Sequence, residues 1–160
     1  MTIHWCGTGL SSGPGLRRLI EKGHKVAVWN RTVAKARQAV GDLTKDIRPY
    51  SPEALAAALQ RGDLAISMLP ADHHVGIAKL CLSKGANFVS SSYIAPEMRA
   101  LDEEFRAKGL VSVNEVGLDT GKSATRPGSG QVCAASSSKP RSSALPIRTP
   151  KTIPGLSSPT

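Results

Sequence analysis

The sequence predicts an α/β fold: a doubly wound, parallel sheet of about six strands followed by a disordered C-terminal tail. Apolar runs of strand length alternate with helix-length segments from Thr2 to Asn114. Right-handed crossovers turn that alternation into parallel strands with helices on both faces. The first run enters Gly7-Thr8-Gly9 directly, a glycine-rich junction between a strand and a helix. Beyond Gly121 the alternation stops. The 39 residues from Lys122 to Thr160 hold nine Ser and six Pro, and their scattered apolar residues have no spacing that builds a core.

Thr2 to Cys6 reads as the first strand, and Leu16, Leu19 and Ile20 give the following segment a helical stripe. Lys25 to Trp29 supplies the second strand, and Val33 to Val40 the next helix. Asp46-Ile47-Arg48 forms a short strand, and Pro52 to Leu59 an Ala-rich helix with Pro in its first turn. Leu64 to Leu69 has the continuous apolar character of a strand buried on both faces. A helix over Val75 to Ser83, a strand over Asn87 to Ser90, a helix over Pro96 to Lys108 and a last strand over Leu110 to Asn114 complete the set.

Ligands of such sheets lie outside the carboxyl ends of the strands, which directs attention to the polar residues there. Glycines at Gly7 and Gly9 let the backbone turn sharply and approach a pyrophosphate, with Leu10, Ser11 and Ser12 leading into the helix whose N-terminus favours the anion. Ser12 holds the place of the third glycine of the usual pattern, and Gly13 follows it. At the end of the second strand, an Asp or Glu would accept hydrogen bonds from the adenosine ribose and repel a 2′-phosphate. Asn30-Arg31-Thr32 stands there instead. Arg31 offers a permanently charged fork suited to phosphate, with neutral hydrogen bonds from Asn30 and Thr32, so NADP(H) is expected over NAD(H). A second reading stays open, in which Asn30 caps the next helix and Arg31 is solvated. Ser67, Leu69, Pro70 and Ser91 are further candidates for cofactor contact by their place at strand ends.

The formal charge of +9 is uneven, since +6 lies in the segment from Lys122 to Thr160 and every acidic residue lies at or before Asp119. That tail has no aromatic residue for base stacking and its charges are dispersed, so no specific nucleic-acid partner is expected. Cys6, Cys81 and Cys133 form neither a paired framework nor a close Cys-x-x-Cys, which argues against disulfides and zinc. His73 and His74 are neighbours that project differently and lack a nearby ligand cluster, so they read as helix-start or solvent residues and no metal is assigned. His4, inside the first strand, reads as a packed or edge residue. The expected setting is cytoplasmic, without a signal peptide or membrane span.

Gly-Thr-Gly, Asn-Arg-Thr, Ser67-Met68-Leu69-Pro70, Ser91-Ser92-Tyr93-Ile94 and Asn114-Glu115-Val116-Gly117-Leu118-Asp119 occur in this order, and with them residues 1 to 121 resemble the saccharopine dehydrogenase family, in its saccharopine reductase branch. The resemblance implies a Rossmann cofactor half and NADP-dependent oxidoreduction at a carbon–nitrogen bond in lysine metabolism. There an imine of glutamate and aminoadipate semialdehyde is reduced by hydride to saccharopine. It also places Tyr93 and Asp119 near nicotinamide and substrate, as candidates for proton transfer or for holding a substrate ammonium. Both also admit a structural reading: Tyr93 as a sheet cap with its hydroxyl in water, Asp119 as a turn residue.

The pattern breaks at Thr120, where the family's Gly-Leu-Asp-Pro-Gly followed by Asp-His becomes Gly-Leu-Asp-Thr-Gly-Lys-Ser-Ala. The expectation is an NADP-binding domain over residues 1–121, a low-complexity basic tail over 122–160 of frame-shifted or truncated origin, and no turnover without the family's substrate-binding unit. The partner is then a small amino-acid-like substrate of the parent enzyme, and homodimerisation stays open. The alternative is a non-catalytic dinucleotide-binding or interaction module with a basic tail.

Overall fold

The computed structural model describes residues 1–116 and the backbone of 132–133. Strands β1 (Ile3–Cys6), β2 (Val26–Asn30), β3 (Ile47–Pro49), β4 (Leu64–Ser67), β5 (Asn87–Ser90), β6 (Ser112–Val113) and β7 (Val132–Cys133) form one sheet. Their order is β3-β2-β1-β4-β5-β6-β7. The first six run parallel, as the sequence predicts, and β7 joins the β6 edge antiparallel, pairing Val113 with Val132 and Ser112 with Cys133. That seventh strand is a correction, because the sequence gives no strand signal beyond Gly121. Its two apolar residues take the hydrogen-bonding edge that β6 would otherwise leave open. The rest of the expected tail, and Asp119, lie outside the described residues.

Helices α1 (Gly13–Glu21) and α2 (Val33–Val40) cover one face, and α3 (Pro52–Ala58), α4 (His74–Lys84), α5 (Pro96–Ala100) and α6 (Asp102–Ala107) the other. The strand pleat sorts the side chains accordingly. Ile3 and Trp5 of β1 pack with Leu16, Ala36 and Val40, while Cys6 joins Leu55, Ile77, Cys81 and Phe88. The single helix expected over Pro96 to Lys108 is two helices. Leu101 makes a tight turn, its N–H donating to the Met98 carbonyl 3.1 Å away, and three acidic residues favour a fresh N-terminus at Asp102.

Strand order reverses between β1 and β4, which opens the crevice of the fold at their carboxyl ends. Two features fix this junction. Gly7 has φ of 100°, and a Cβ there would stand 2.8 Å from the Met68 carbonyl oxygen, so β1 turns away from β4 only through glycine. At the opposite end, the buried Asp63 carboxylate accepts from Thr2 N–H at 2.7 Å and Gln60 N–H at 3.1 Å, and pairs with His4 Nε2 at 3.3 Å. His4 Nδ1 accepts from the Trp29 indole N–H at 3.1 Å. That acceptor role puts the imidazole proton on Nε2, facing Asp63. Arg48 lies over the Trp29 ring at 5.2 Å and is held by two hydrogen bonds to Asp46, so one chain of contacts runs from Asp63, just before β4, through β1 and β2 to β3. His4 is therefore a packed residue, with both ring nitrogens engaged.

Gly7→Ala should destabilise the fold by about 1–3 kcal/mol, through positive φ and the Met68 contact, read as a lower urea midpoint. Burial lowers the His4 pKa below 6.5, against the opposing pull of Asp63. The unfolded chain then binds protons that the folded chain rejects, so His4 contributes stability that is present above pH 6.5 and lost as pH falls below it. Urea midpoints measured between pH 7.5 and 5 should fall, and His4→Gln should flatten that decline.

Candidate functional site

The glycine loop is folded before any ligand arrives. Gly7 N–H donates to the Trp29 carbonyl at 2.8 Å, and the Gly7 carbonyl accepts from the Trp5 indole at 2.9 Å. Ser12, in the third-glycine place, is buried, and its N–H and hydroxyl both donate to the Gly9 carbonyl, at 3.1 and 2.8 Å. A serine there closes the turn with its own side chain. A Cβ on Gly9 would meet no atom within 4 Å, which leaves the loop an open approach of the kind a pyrophosphate requires. Leu10 and Ser11 are exposed beside it. The buried Thr8 hydroxyl has no hydrogen-bond partner among the described residues.

At the end of β2, Asn30 does not cap α2. Its side-chain N–H donates to the Thr32 carbonyl at 3.0 Å, and Thr32 is the N-cap residue, with extended backbone and no side-chain cap bond. Asn30 thus shapes the turn that presents Arg31, which is exposed and has no ion pair among the described residues. Open glycine backbone and a helix start on one sheet edge fit a dinucleotide.

Beyond the switch point the edge is a buried polar seam. Ser67 ends β4 fully buried, its hydroxyl 2.9 Å from His74 Nδ1, so it faces the interior instead of the crevice. Leu69 packs on the core beside Gly7, and Pro70 precedes a 3-10 turn over Ala71–His73. His74 Nε2 stands 2.7 Å from the Ser92 hydroxyl, and the ring meets Phe88 edge-on at 6.5 Å. Burial, helped by neighbouring His73, lowers the His74 pKa and keeps the ring neutral at pH 7. Ser90 donates to Asn114 Oδ1 at 2.8 Å, joining β5 to the end of β6. Ser91 is partly buried, and Tyr93 is 76% exposed with no hydrogen bond among the described residues.

The adjacent histidines thus separate in role. Both stand at the start of α4, His73 as its exposed N-cap residue near Asp72 and His74 as its first residue; His74 departs from the solvent reading because it is buried in the core. The helical period held the missing signal: Ile77, Ala78, Cys81 and Leu82 form the inward stripe of α4, and His74 continues it one turn earlier. Among the described residues no three His, Cys, Asp or Glu side chains gather as a metal site. No described helix is long and apolar enough to cross a membrane.

Residues 3–113 match the family model of the saccharopine dehydrogenase NADP binding domain. Saccharopine dehydrogenase [NADP(+), L-glutamate-forming] of Pyricularia oryzae is 31% identical over 123 residues, covering 72% of this chain and 26% of that protein. Mouse mitochondrial alpha-aminoadipic semialdehyde synthase is 31% identical over 121 residues, covering 72% of this chain and 13% of that protein. The apo saccharopine dehydrogenase (L-Glu forming) of Saccharomyces cerevisiae superposes with a TM-score of 0.65 at 27% identity, over 74% of this chain and 27% of that one. The chain therefore spans about a quarter of the length of the fungal relatives it matches. With a glycine loop at the end of β1, a β1–β4 switch point and a match across nearly all of the sheet, this chain belongs to the saccharopine dehydrogenase NADP-binding domain family.

Proposed function

We propose that this chain is the NADP(H)-binding half of an oxidoreductase that acts on a carbon–nitrogen bond of an amino-acid-derived substrate, as its relatives' names describe for saccharopine. One observation carries the cofactor choice: Arg31 stands beyond the end of β2, on a turn shaped by Asn30, with no ion pair among the described residues, and Asn30-Arg31-Thr32 holds no carboxylate for a free ribose hydroxyl pair. When bound, NADPH supplies the hydride. The chain's own residues do the rest of the holding: Gly9 and the start of α1 face the pyrophosphate, while Arg31, Asn30 and Thr32 face the 2′-phosphate.

Tyr93 lies toward the nicotinamide end, as its exposure beyond the carboxyl end of β5 allows. There its phenol is a proton donor or a hydrogen-bond partner for substrate, and Asp119 is assigned to the same side by its motif. Turnover needs the substrate held against the nicotinamide with water excluded, and among the described residues this surface is open, so catalysis is assigned to a protein of the relatives' length. We assign residues 1–121 to the cofactor domain. The basic segment after it has no specific nucleic-acid role in this reading.

Calorimetric titration of the chain should show NADPH binding tighter than NADH. Arg31→Ala should weaken NADPH by roughly ten- to a hundredfold, the range of a charge-assisted bond, and leave NADH within about twofold. Equal affinities in the unsubstituted chain would sink the assignment. Gly9→Ala should leave the urea midpoint nearly unchanged yet weaken both dinucleotides, since its methyl enters the open approach.

A further inference from the structure

The loop that carries Tyr93 is gripped from both sides by residues outside the dinucleotide contacts. On one side, His74 Nε2 meets the Ser92 hydroxyl at 2.7 Å while His74 Nδ1 is anchored 2.9 Å from Ser67. His74 is buried and packed against Phe88, so it acts as a fixed post. A neutral imidazole has one N–H and one lone pair, so one serine accepts and the other donates, and both nitrogens are satisfied.

On the other side, the Glu115 N–H donates to the Ser92 carbonyl at 3.1 Å, and the Glu115 carboxylate accepts from the Ile94 N–H at 3.2 Å. Val116 N–H adds a bond to the Ser90 carbonyl at 3.2 Å. Glu115 has φ of 61°, and among the described residues it alone combines a side chain with positive φ. Residues bearing a Cβ seldom take that conformation unless their surroundings impose it, and such residues cluster at functional sites. Here it aims the backbone N–H and the carboxylate of one residue at the same loop. Ser92 and Ile94 are therefore pinned, and Tyr93 between them projects outward without a hydrogen bond among the described residues.

We propose that His74 and Glu115 are positioning residues that hold the loop from Ser91 to Ile94 so that Tyr93 stands at the nicotinamide end of the bound dinucleotide. The proposal rests on the cofactor reading above. Two unrelated elements, the start of α4 and the turn after β6, grip successive residues of one loop, and the residue left free is the exposed phenol.

Amide hydrogen exchange on the 160-residue chain, with 19F spectra of fluorotyrosine-labelled protein, tests it. The Tyr93 signal is identified by its loss in Tyr93→Phe. His74→Ala and Glu115→Ala should each speed exchange of the Ile94 amide at least tenfold, with β1 and β4 amides unchanged, and Glu115→Gln should restore protection by keeping the acceptor. NADPH should shift the Tyr93 resonance in the unsubstituted chain and in Glu115→Gln, and shift it less than half as far in the Ala variants. Ser92→Ala removes the His74 Nε2 contact while leaving the buried ring in place. It should loosen the loop in the same way, which covers a His74→Ala chain that fails to fold. Unchanged Ile94 exchange in Ser92→Ala and Glu115→Ala would overturn the proposal, as would a Tyr93 signal indifferent to NADPH in a chain that calorimetry shows to bind it. A chain with no NADPH binding by calorimetry would instead fail the cofactor reading itself, and the inference with it.

Discussion

Asp63 is the constraint on which the sheet depends. Its carboxylate receives the N–H of Thr2 just before β1, the imidazole of His4 within β1 and the N–H of Gln60 beyond α3, so two separate segments of the chain meet on one buried anion. Burial alone would raise the Asp63 pKa, yet the N–H donors hold the carboxyl below its usual value of 3.8. Removal of the Asp63 carboxylate would leave buried donors unpaired, which costs more than the bonds contribute. Because Asp63 precedes β4 and grips the start of β1, it sets the register of the two strands that flank the switch point, Ile3 opposite Leu64 and Cys6 opposite Ser67.

From that register the carboxyl edge follows. Cys6, Ser67 and Ser90 stand in one row across β1, β4 and β5, pointing to the α4 face. Position decides their chemistry: Cys6 is enclosed by core and its thiol is pushed well above the ordinary range, while the two serines find partners in His74 and Asn114. The seam is polar but closed, with each buried hydroxyl of the row satisfied. Exposed chemistry is left to loops on either side of it, Gly7 to Ser11 and Ser91 to Ile94.

The alternation of strand and helix was legible because each crossover buries its own stripe, so local pattern and tertiary position agree from Ile3 to Val113. The glycine loop was legible for the same reason, since the Gly7 conformation is a local steric demand. What escaped was set by distance in the chain. The His74 role needs Ser92, eighteen residues on, and a helix read as starting at Val75 leaves the histidine outside its buried stripe. The hold of Glu115 on Ile94 spans twenty-one residues and depends on a left-handed backbone that glutamate does not advertise. β7 was hidden by brevity, as two residues carry no period.

The two tryptophans of the chain are both wired to the dinucleotide edge. Trp5 bonds the Gly7 carbonyl through its indole, and the Trp29 carbonyl receives the Gly7 N–H one residue before Asn30. The Gly7 carbonyl therefore answers to the Trp5 indole, and the Gly7 N–H to the backbone of Trp29. The protein carries a native optical reporter at its glycine loop: displacement of that loop must alter the surroundings of Trp5 through its ring and of Trp29 through its backbone. Intrinsic emission from this chain is thus a local signal of loop position before it is a general signal of folding.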